Sequence, residues 1–412
     1  MAKISPFKAI RPTRDKVHLV ATRPYYTYKK NVLKAKLEDN PFTFLHIINP
    51  EFGHIQTSLP NTPERFAIVN EAYHNFMDQG ILMQDPLPHI YLYRQTKNGH
   101  EYLGVIAGAS VDEYLNDEIK KHEATITSRE EMFTNYLNIV GYNAEPVLLS
   151  YSDPSDEIEV LMQRKVLDRP EYEYTTTDRV KHEMWLLNSD ESAEIIAAFE
   201  KIPDLYIADG HHRSASSAGL RSFRENEKIP QFPNENFFLS FLLNESKLNI
   251  AEFNRFVKTM NGLTKDQLLS KIEKNFIITE LTKSTLPQRA HDISMCVKGD
   301  WYLLTCKRDI VDSSHPVNGL DAELLTKYIL DPILNIKDLK SNDNIEFIAG
   351  IEKIKKMEKR ILKNEFELGF FLFPVGIEEV KRVADNNMIM PPKSTYVEPK
   401  LRSGLTIYNI NE

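Results

Sequence analysis

The hydrophobic period along the chain switches between two residues and three to four, and each switch marks an element. "HIYLYRQTKNGHEYLGVIAGA" (89–109) reads as a hairpin, with two β-rich runs flanking Asn98-Gly99. "YEYTTTDRVKHEMWLL" (172–187) predicts a second hairpin. "VKGDWYLLT", between Cys296 and Cys306, predicts a third that turns near Gly299-Asp300. "AEPVLLSYSD" (144–153), "NFFLSFLLN" (236–244) and "ELGFFLFP" (367–374) are nearly continuous apolar runs and predict interior strands. "KVHLVAT" (16–22) reads as a strand, and "FTFLHIINP" (42–50) is a further short apolar segment closed by Pro50.

Helical periods fill the spaces between. "TPERFAIVNEAYHNFMDQG" (62–80) has Thr62 as N-cap, Pro63 at the first helical position and Gly80 as a stop. In "SREEMFTNYLNIVG" (128–141), Ser128 followed three residues on by Glu131 has the capping-box pattern. Further helices are predicted over 156–167, 190–202, 264–276, 320–334 and 377–387. Hairpins and helices mixed in this way give an α+β protein rather than an alternating doubly wound one. At 412 residues the chain is long for one core. Its texture changes near residue 250, so we expect an N-terminal lobe over 1–250 and a packed C-terminal α+β lobe over 251–412, with no long linker between them.

"LYIADGHHRSASSAGL" (205–220) is where chemistry concentrates. An apolar strand stops at Asp209-Gly210 and a helix begins at about His211 or His212. Gly210 permits a backbone that a Cβ would resist. The first N–H groups of a helix lack internal acceptors and sit at its positive dipole end, which makes an anion site. Arg213 adds a forked cation suited to phosphate. His211 and His212 add donors or bases, and small residues from Ser214 onward leave room for a ligand. The competing readings are a capped turn with solvated histidines, and a metal site built on Asp209 and a histidine. Adjacent helix positions point about 100° apart, which makes a metal on both histidines awkward.

Two other stretches carry candidates. "DEIKKHEATITSREE" (117–131) places His122 and Glu123 in a loop before a helix, a position from which either can act as a base. A merely solvated charged loop is the plain alternative. "MPPKSTYVEPKL" (390–401) presents Lys393, Ser394 and Lys400 from a proline-stiffened frame. The glycines of a Walker P-loop are absent there.

Composition narrows the classes. The chain is 42% hydrophobic and 27% charged with net charge −8, which suits an ordinary globular protein and argues against a duplex-DNA binder. Cys296 and Cys306 form no CxxC pair and read as buried thiols in a reducing compartment. The N-terminus has no apolar signal-peptide core, and no apolar run is long enough to span a membrane. The expected location is therefore cytoplasmic.

"PFKAIRP", "KKHEATITSREE", "IADGHHRSASSA" and "MPPKSTYVEPKLRSGL" together resemble, in the same order along nearly the whole chain, the bacterial and archaeal family known as domain of unknown function 1015. That family is placed in the ParB/sulfiredoxin-like superfamily. The resemblance implies a ParB/sulfiredoxin-like core in which the strand–Gly-x-His-Arg–helix turn binds nucleotide phosphates. Superfamily members include CTP-binding DNA-partition switches, sulfiredoxins and kinases for free serine. Here His211 stands where sulfiredoxins have their cysteine, and no helix-turn-helix segment is evident. Family members often carry an Asp-Arg pair after the His-Glu loop, where this chain has only Arg129 with Glu130. The remaining implication is a phosphotransferase for a small hydroxyl compound such as free serine, using ATP or ADP (or CTP) with Mg²⁺. In it, Gly210, His211, His212, Arg213 and Ser214 cradle the phosphates, and Asp209 orients a histidine or holds the metal. Glu123 is the base, with His122 as its rival, and Lys393, Ser394 and Lys400 close the site between the lobes. A nucleotide-sensing module and a metal-dependent hydrolase are the alternatives. Nucleotide and a small molecule are the expected partners, with neither nucleic acid nor membrane, and a homodimer is admitted.

Overall fold

Asn98 and Gly99 both take positive φ, 53° and 81°. That backbone matches the right-handed twist of the strands it joins, Tyr91–Lys97 and His100–Ser110. The structure, a computed structural model, describes residues 1–53, 55–352 and 354–412. The hairpin lies inside a nine-stranded mixed sheet. Its order is Ile119–Lys120, Leu205–Asp209, Val147–Tyr151, Phe237–Asn244, His100–Ser110, Tyr91–Lys97, Lys181–Leu186 and Tyr172–Thr175, and Ile4–Ser5 also pairs with His100–Ser110. Two neighbouring pairs are parallel, Leu205–Asp209 with Ile119–Lys120 and Phe237–Asn244 with Val147–Tyr151. Every residue of Val147–Tyr151 is buried, so both faces of the sheet are covered there, as its unbroken apolar run predicts.

The chain divides into two compact units. The first comprises 1–121, 125–248 and 399–412; the second comprises 122–124 and 249–398. In the first unit Leu103, Val105, Leu149, Ile207 and Leu242 share one core. A second core gathers Phe66, Val69 and Tyr73 of helix Pro63–Asp78 with Val140 and Ile407. The second unit has a six-stranded antiparallel sheet ordered Phe276–Leu281, Asp300–Cys306, Asp292–Val297, Leu368–Phe371, Phe253–Val257 and Ile345–Ala349. Phe276, Ile293, Met295, Leu304 and Phe370 are its core. The α+β reading holds. Cys296 and Cys306 are free and buried on paired strands, and burial pushes both thiols up to about 12.

Several local expectations change. Residues 16–22 contain a helical turn, Val17–Val20, not a strand. Val17 and Val20 are buried and His18 is exposed, a spacing of three rather than two. The segment 42–50, expected only to be a short apolar segment, holds a short helix, Leu45–Ile48. The predicted capping box at Ser128 does not form: the helix is Thr127–Val140, its N-cap is Ile126, and Ser128 lies within its first turn. The helix expected over 320–334 runs as Asp321–Leu325 and then widens into a π turn, Thr326–Leu330. There the Asp331 amide reaches back to the Thr326 carbonyl at 3.0 Å. Pro332 follows at once; it has no N–H to donate and its ring disturbs the preceding turn.

Candidate functional site

Strand Leu205–Asp209 ends in an irregularity. Ile207 pairs with Leu149, and Asp209, two residues on, pairs with the next residue, Leu148. The extra residue, Ala208, is a bulge, a device that re-aims the side chains beside it. Gly210 follows with φ +111° and serves as N-cap of helix His211–Asn226. Its carbonyl accepts the Arg213 amide at 2.8 Å and the Ser214 amide at 3.1 Å. A Cβ at Gly210 would lie 2.9 Å from Nε and Nη2 of Arg213. Glycine therefore does two things here: it allows the left-handed turn and lets the guanidinium lie over it.

Arg213 is held on three sides. Its Nη2 donates to Asp209 Oδ2 at 2.9 Å, and its Nη1 donates to Glu145 Oε1 at 2.7 Å and to the Pro146 carbonyl at 2.6 Å. Because Leu205–Asp209 runs antiparallel to Val147–Tyr151, the strand end carrying Asp209 meets the strand start preceded by Glu145 and Pro146. Lys400 Nζ donates to the other Asp209 oxygen, Oδ1, at 3.0 Å. Ser403 Oγ donates to Glu145 Oε2 at 3.2 Å. Two carboxylates and two cations thus share one half-buried cluster, and their formal charges cancel.

The electrostatics follow from this packing. Burial works to raise the Asp209 pKa, but Lys400 and Arg213 outweigh it and hold the carboxyl below its usual range. Burial also works against the Arg213 charge, and Glu145 and Asp209 more than restore it. His211 is buried, and desolvation drives its pKa down to about 3 against the pull of Asp209, so the ring is neutral near pH 7. Ser214 is fully buried and its hydroxyl donates to the His211 carbonyl at 3.0 Å. Ser216 and Ser217 donate to the Arg213 carbonyl at 3.1 and 3.0 Å. The small-residue face packs on helix Thr127–Val140, where a Cβ at Gly219 would come 2.7 Å from Thr134 Oγ1.

Asp209, Gly210, His211, His212, Arg213, Ser214 and Lys400 therefore belong to the first unit, and Lys400 meets Asp209 directly. His122, Glu123, Lys393 and Ser394 belong to the second. Within that unit the Met390 amide donates to the His122 carbonyl at 2.9 Å, which ties the His-Glu loop to the proline-stiffened segment. His122 is buried and Glu123 exposed. Lys393 is exposed, takes φ 57°, and its carbonyl accepts from Arg255 Nη2 at 3.2 Å. Ser394 is buried and donates to the Pro391 carbonyl at 2.7 Å. Sequence reasoning missed Glu145 and Ser403. The one available signal for Glu145 was a charged residue set directly before a wholly apolar run. Among the described residues no group of three or more His, Cys, Asp and Glu side chains is gathered as a metal cluster would need. No described helix is long and apolar enough to cross a membrane.

Several solved structures are similar to this chain. Free serine kinase in complex with AMP matches at 11% identity with TM-score 0.37, covering 75% of this chain and 91% of that one. A C-terminally truncated SbnI from Staphylococcus aureus matches at 12% identity with TM-score 0.39, over 74% and 87% of the two chains. A conserved hypothetical protein from Pyrococcus furiosus matches at 13% identity with TM-score 0.35, over 74% and 95%. No curated protein matches. The family model described as "Protein of unknown function (DUF1015)" matches residues 4–323, and the chain belongs to that family.

Proposed function

We propose that the protein is a nucleotide-dependent phosphotransferase acting on a small hydroxyl metabolite, with free serine the first acceptor to test. The observation that carries this reading is the turn at Gly210. There a bulged strand end, a left-handed glycine and a helix start bring Arg213 and Lys400 onto the two oxygens of Asp209. Phosphoryl transfer asks the protein chiefly for positioning and charge neutralisation, and this cluster offers both. A ParB/sulfiredoxin-like core, which the sequence resemblance implies, would bring the same turn to the same use.

In this reading the nucleotide phosphates lie along the 210–214 backbone and take Arg213 donors now shared with Glu145 and Pro146. Neutral His211, together with His212, donates to phosphate oxygens. Lys400 is held by Asp209 in a position to meet an incoming anion. The local charges cancel, so a polyanionic phosphate needs a further cation, and Mg²⁺ would supply it by neutralising charge on the phosphate oxygens. Both Asp209 oxygens already accept from cations. Asp209 is thus an anchor for Arg213 and Lys400, and magnesium, which needs few protein carboxylates, would be held chiefly through the nucleotide rather than by Asp209. Glu123 takes the proton of the acceptor hydroxyl, with His122 as the other candidate base.

The test incubates the protein with Mg²⁺, free serine and ATP or ADP, and follows phosphomonoester formation by phosphorus NMR. Wild type forms the product. Glu123→Gln keeps nucleotide affinity and loses turnover by about 10²-fold or more, the usual worth of a general base. Unchanged turnover in Glu123→Gln removes Glu123 from that role. Nucleotide binding with no transfer to any hydroxyl acceptor would make the protein a sensor instead.

A further inference from the structure

We propose that the first unit carries a second ligand site, for a small oxyanion, in a cavity of about 260 Å³ lined by Arg14, His18, Arg169, Glu171, Glu173 and Tyr174. That volume holds on the order of eight waters, at about 30 Å³ each, and suits a small di- or tricarboxylate or a phosphate. None of its lining residues belongs to the Asp209 cluster.

The hydrogen-bonding balance of the wall identifies the ligand. Its acids are already spent. Glu171 is shared by Arg11, at 3.1 Å, and Arg14, and Glu173 is paired with Lys181 at 2.8 Å. The donors are not. Among the described residues the exposed Arg169 and His18 make no hydrogen bond or ion pair, and the Tyr174 hydroxyl is buried with no partner. A buried polar atom without a partner is uncommon in a native protein and needs an explanation. Arg11 and Arg14 are paired with Asp85 and Glu171, and Lys181 is shared between Glu173 and Glu183 at 2.8 and 3.0 Å, so among the described residues Arg169 is the guanidinium of this wall that has no carboxylate. An oxyanion supplies Arg169 with a counter-charge and accepts from both its guanidinium fork and the phenol.

The frame behind the wall is braced before any ligand arrives. Arg11 is buried, donates to Asp85 at 2.9 Å and to the Tyr172 hydroxyl at 2.7 Å, and stacks over the Tyr172 ring at 5.3 Å. Tyr172 in turn donates to the Pro12 carbonyl. Segment 11–12 and Tyr172 are thereby fixed to each other, which leaves the exposed Arg14, His18 and Arg169 side chains as the part of the wall that binding must order.

The experiment is thermal shift and calorimetry with inorganic phosphate, pyrophosphate, malate and citrate, at ionic strength held constant with KCl. Wild type, Arg169→Ala, His18→Ala and Arg213→Ala are compared. One anion series should raise the melting temperature of wild type saturably. The effect should weaken at least 10-fold in Arg169→Ala, weaken in His18→Ala, and persist in Arg213→Ala. The series that saturates at the lower concentration identifies the headgroup as phosphate or carboxylate. No shift beyond KCl, or an unchanged shift in Arg169→Ala, overturns the site. A shift lost in Arg213→Ala but kept in Arg169→Ala assigns the anion to the Gly210 turn and overturns it as well.

Discussion

At the scale of single residues, Gly210 and its neighbours make the sharpest predictions. Gly210→Ala puts a Cβ at φ +111°, 2.9 Å from the Arg213 guanidinium. It should cost about 1–3 kcal/mol in stability, the usual range for a strained backbone, and weaken nucleotide binding through the displaced arginine. Urea unfolding and nucleotide titration of the variant measure the two effects separately. His211 and His182 are both buried, and desolvation lowers each pKa to about 3. The unfolded chain, with histidine near the ordinary value of about 6.5, binds protons that the folded state refuses. Stability is therefore complete above about pH 6.5 and falls as pH drops toward 3, by about 1.4 kcal/mol per pH unit for each ring. His182→Gln should flatten the decline of melting temperature between pH 6 and 4, and an unchanged acid slope would contradict the burial argument. The residues that act on their own neighbours in sequence, Asp209, Gly210 and Arg213, were legible from the sequence. Glu145 and Ser403 were not, because their contacts depend on which strand lies beside Asp209 and on the bulge at Ala208.

At the scale of elements, what a local rule decides was readable and what packing decides was not. The hairpin at Asn98-Gly99 and the helix Pro63–Asp78 follow from two turn residues and from a threonine–proline start. Thr62 accepts the Arg65 amide at 3.4 Å. Ser128 carries the same type of signal and caps nothing, because its helix begins a residue earlier. Thr62→Ala should therefore cost about 1 kcal/mol. Exposed Ser128→Ala should stay within about 0.5 kcal/mol of wild type. Chemical denaturation of both variants decides, and equal losses would contradict the observed caps. Residues 16–22 misled because five apolar or β-branched residues fit either period. The turn is helical there because Val17 and Val20, three apart, are the pair that is buried.

At the scale of the molecule, the last fourteen residues matter most, since 399–412 return to the first unit after the whole of 249–398. Lys400 reaches Asp209, Arg402 donates to Asp178 at 3.1 Å, and Tyr408–Asn409 pair with Tyr142–Asn143. No local pattern announces a contact across 191 residues. What the sequence showed was only a lysine on a stiff frame near the C-terminus. Lys400→Met should weaken nucleotide binding about 10-fold or more through loss of a charge-assisted contact, and should move Asp209 toward the ordinary carboxylate pKa. All of these proposed contacts converge on the Gly210 turn as the holder of nucleotide phosphates. The most direct measurement of that role is calorimetric titration of ATP, ADP and CTP, with Mg²⁺, into wild type and Arg213→Ala. At least one nucleotide should bind wild type saturably, and Arg213→Ala should weaken that binding about 30-fold or more, equivalent to about 2 kcal/mol. Equal affinity in the two proteins, or no binding of any of the three to wild type, would contradict that role.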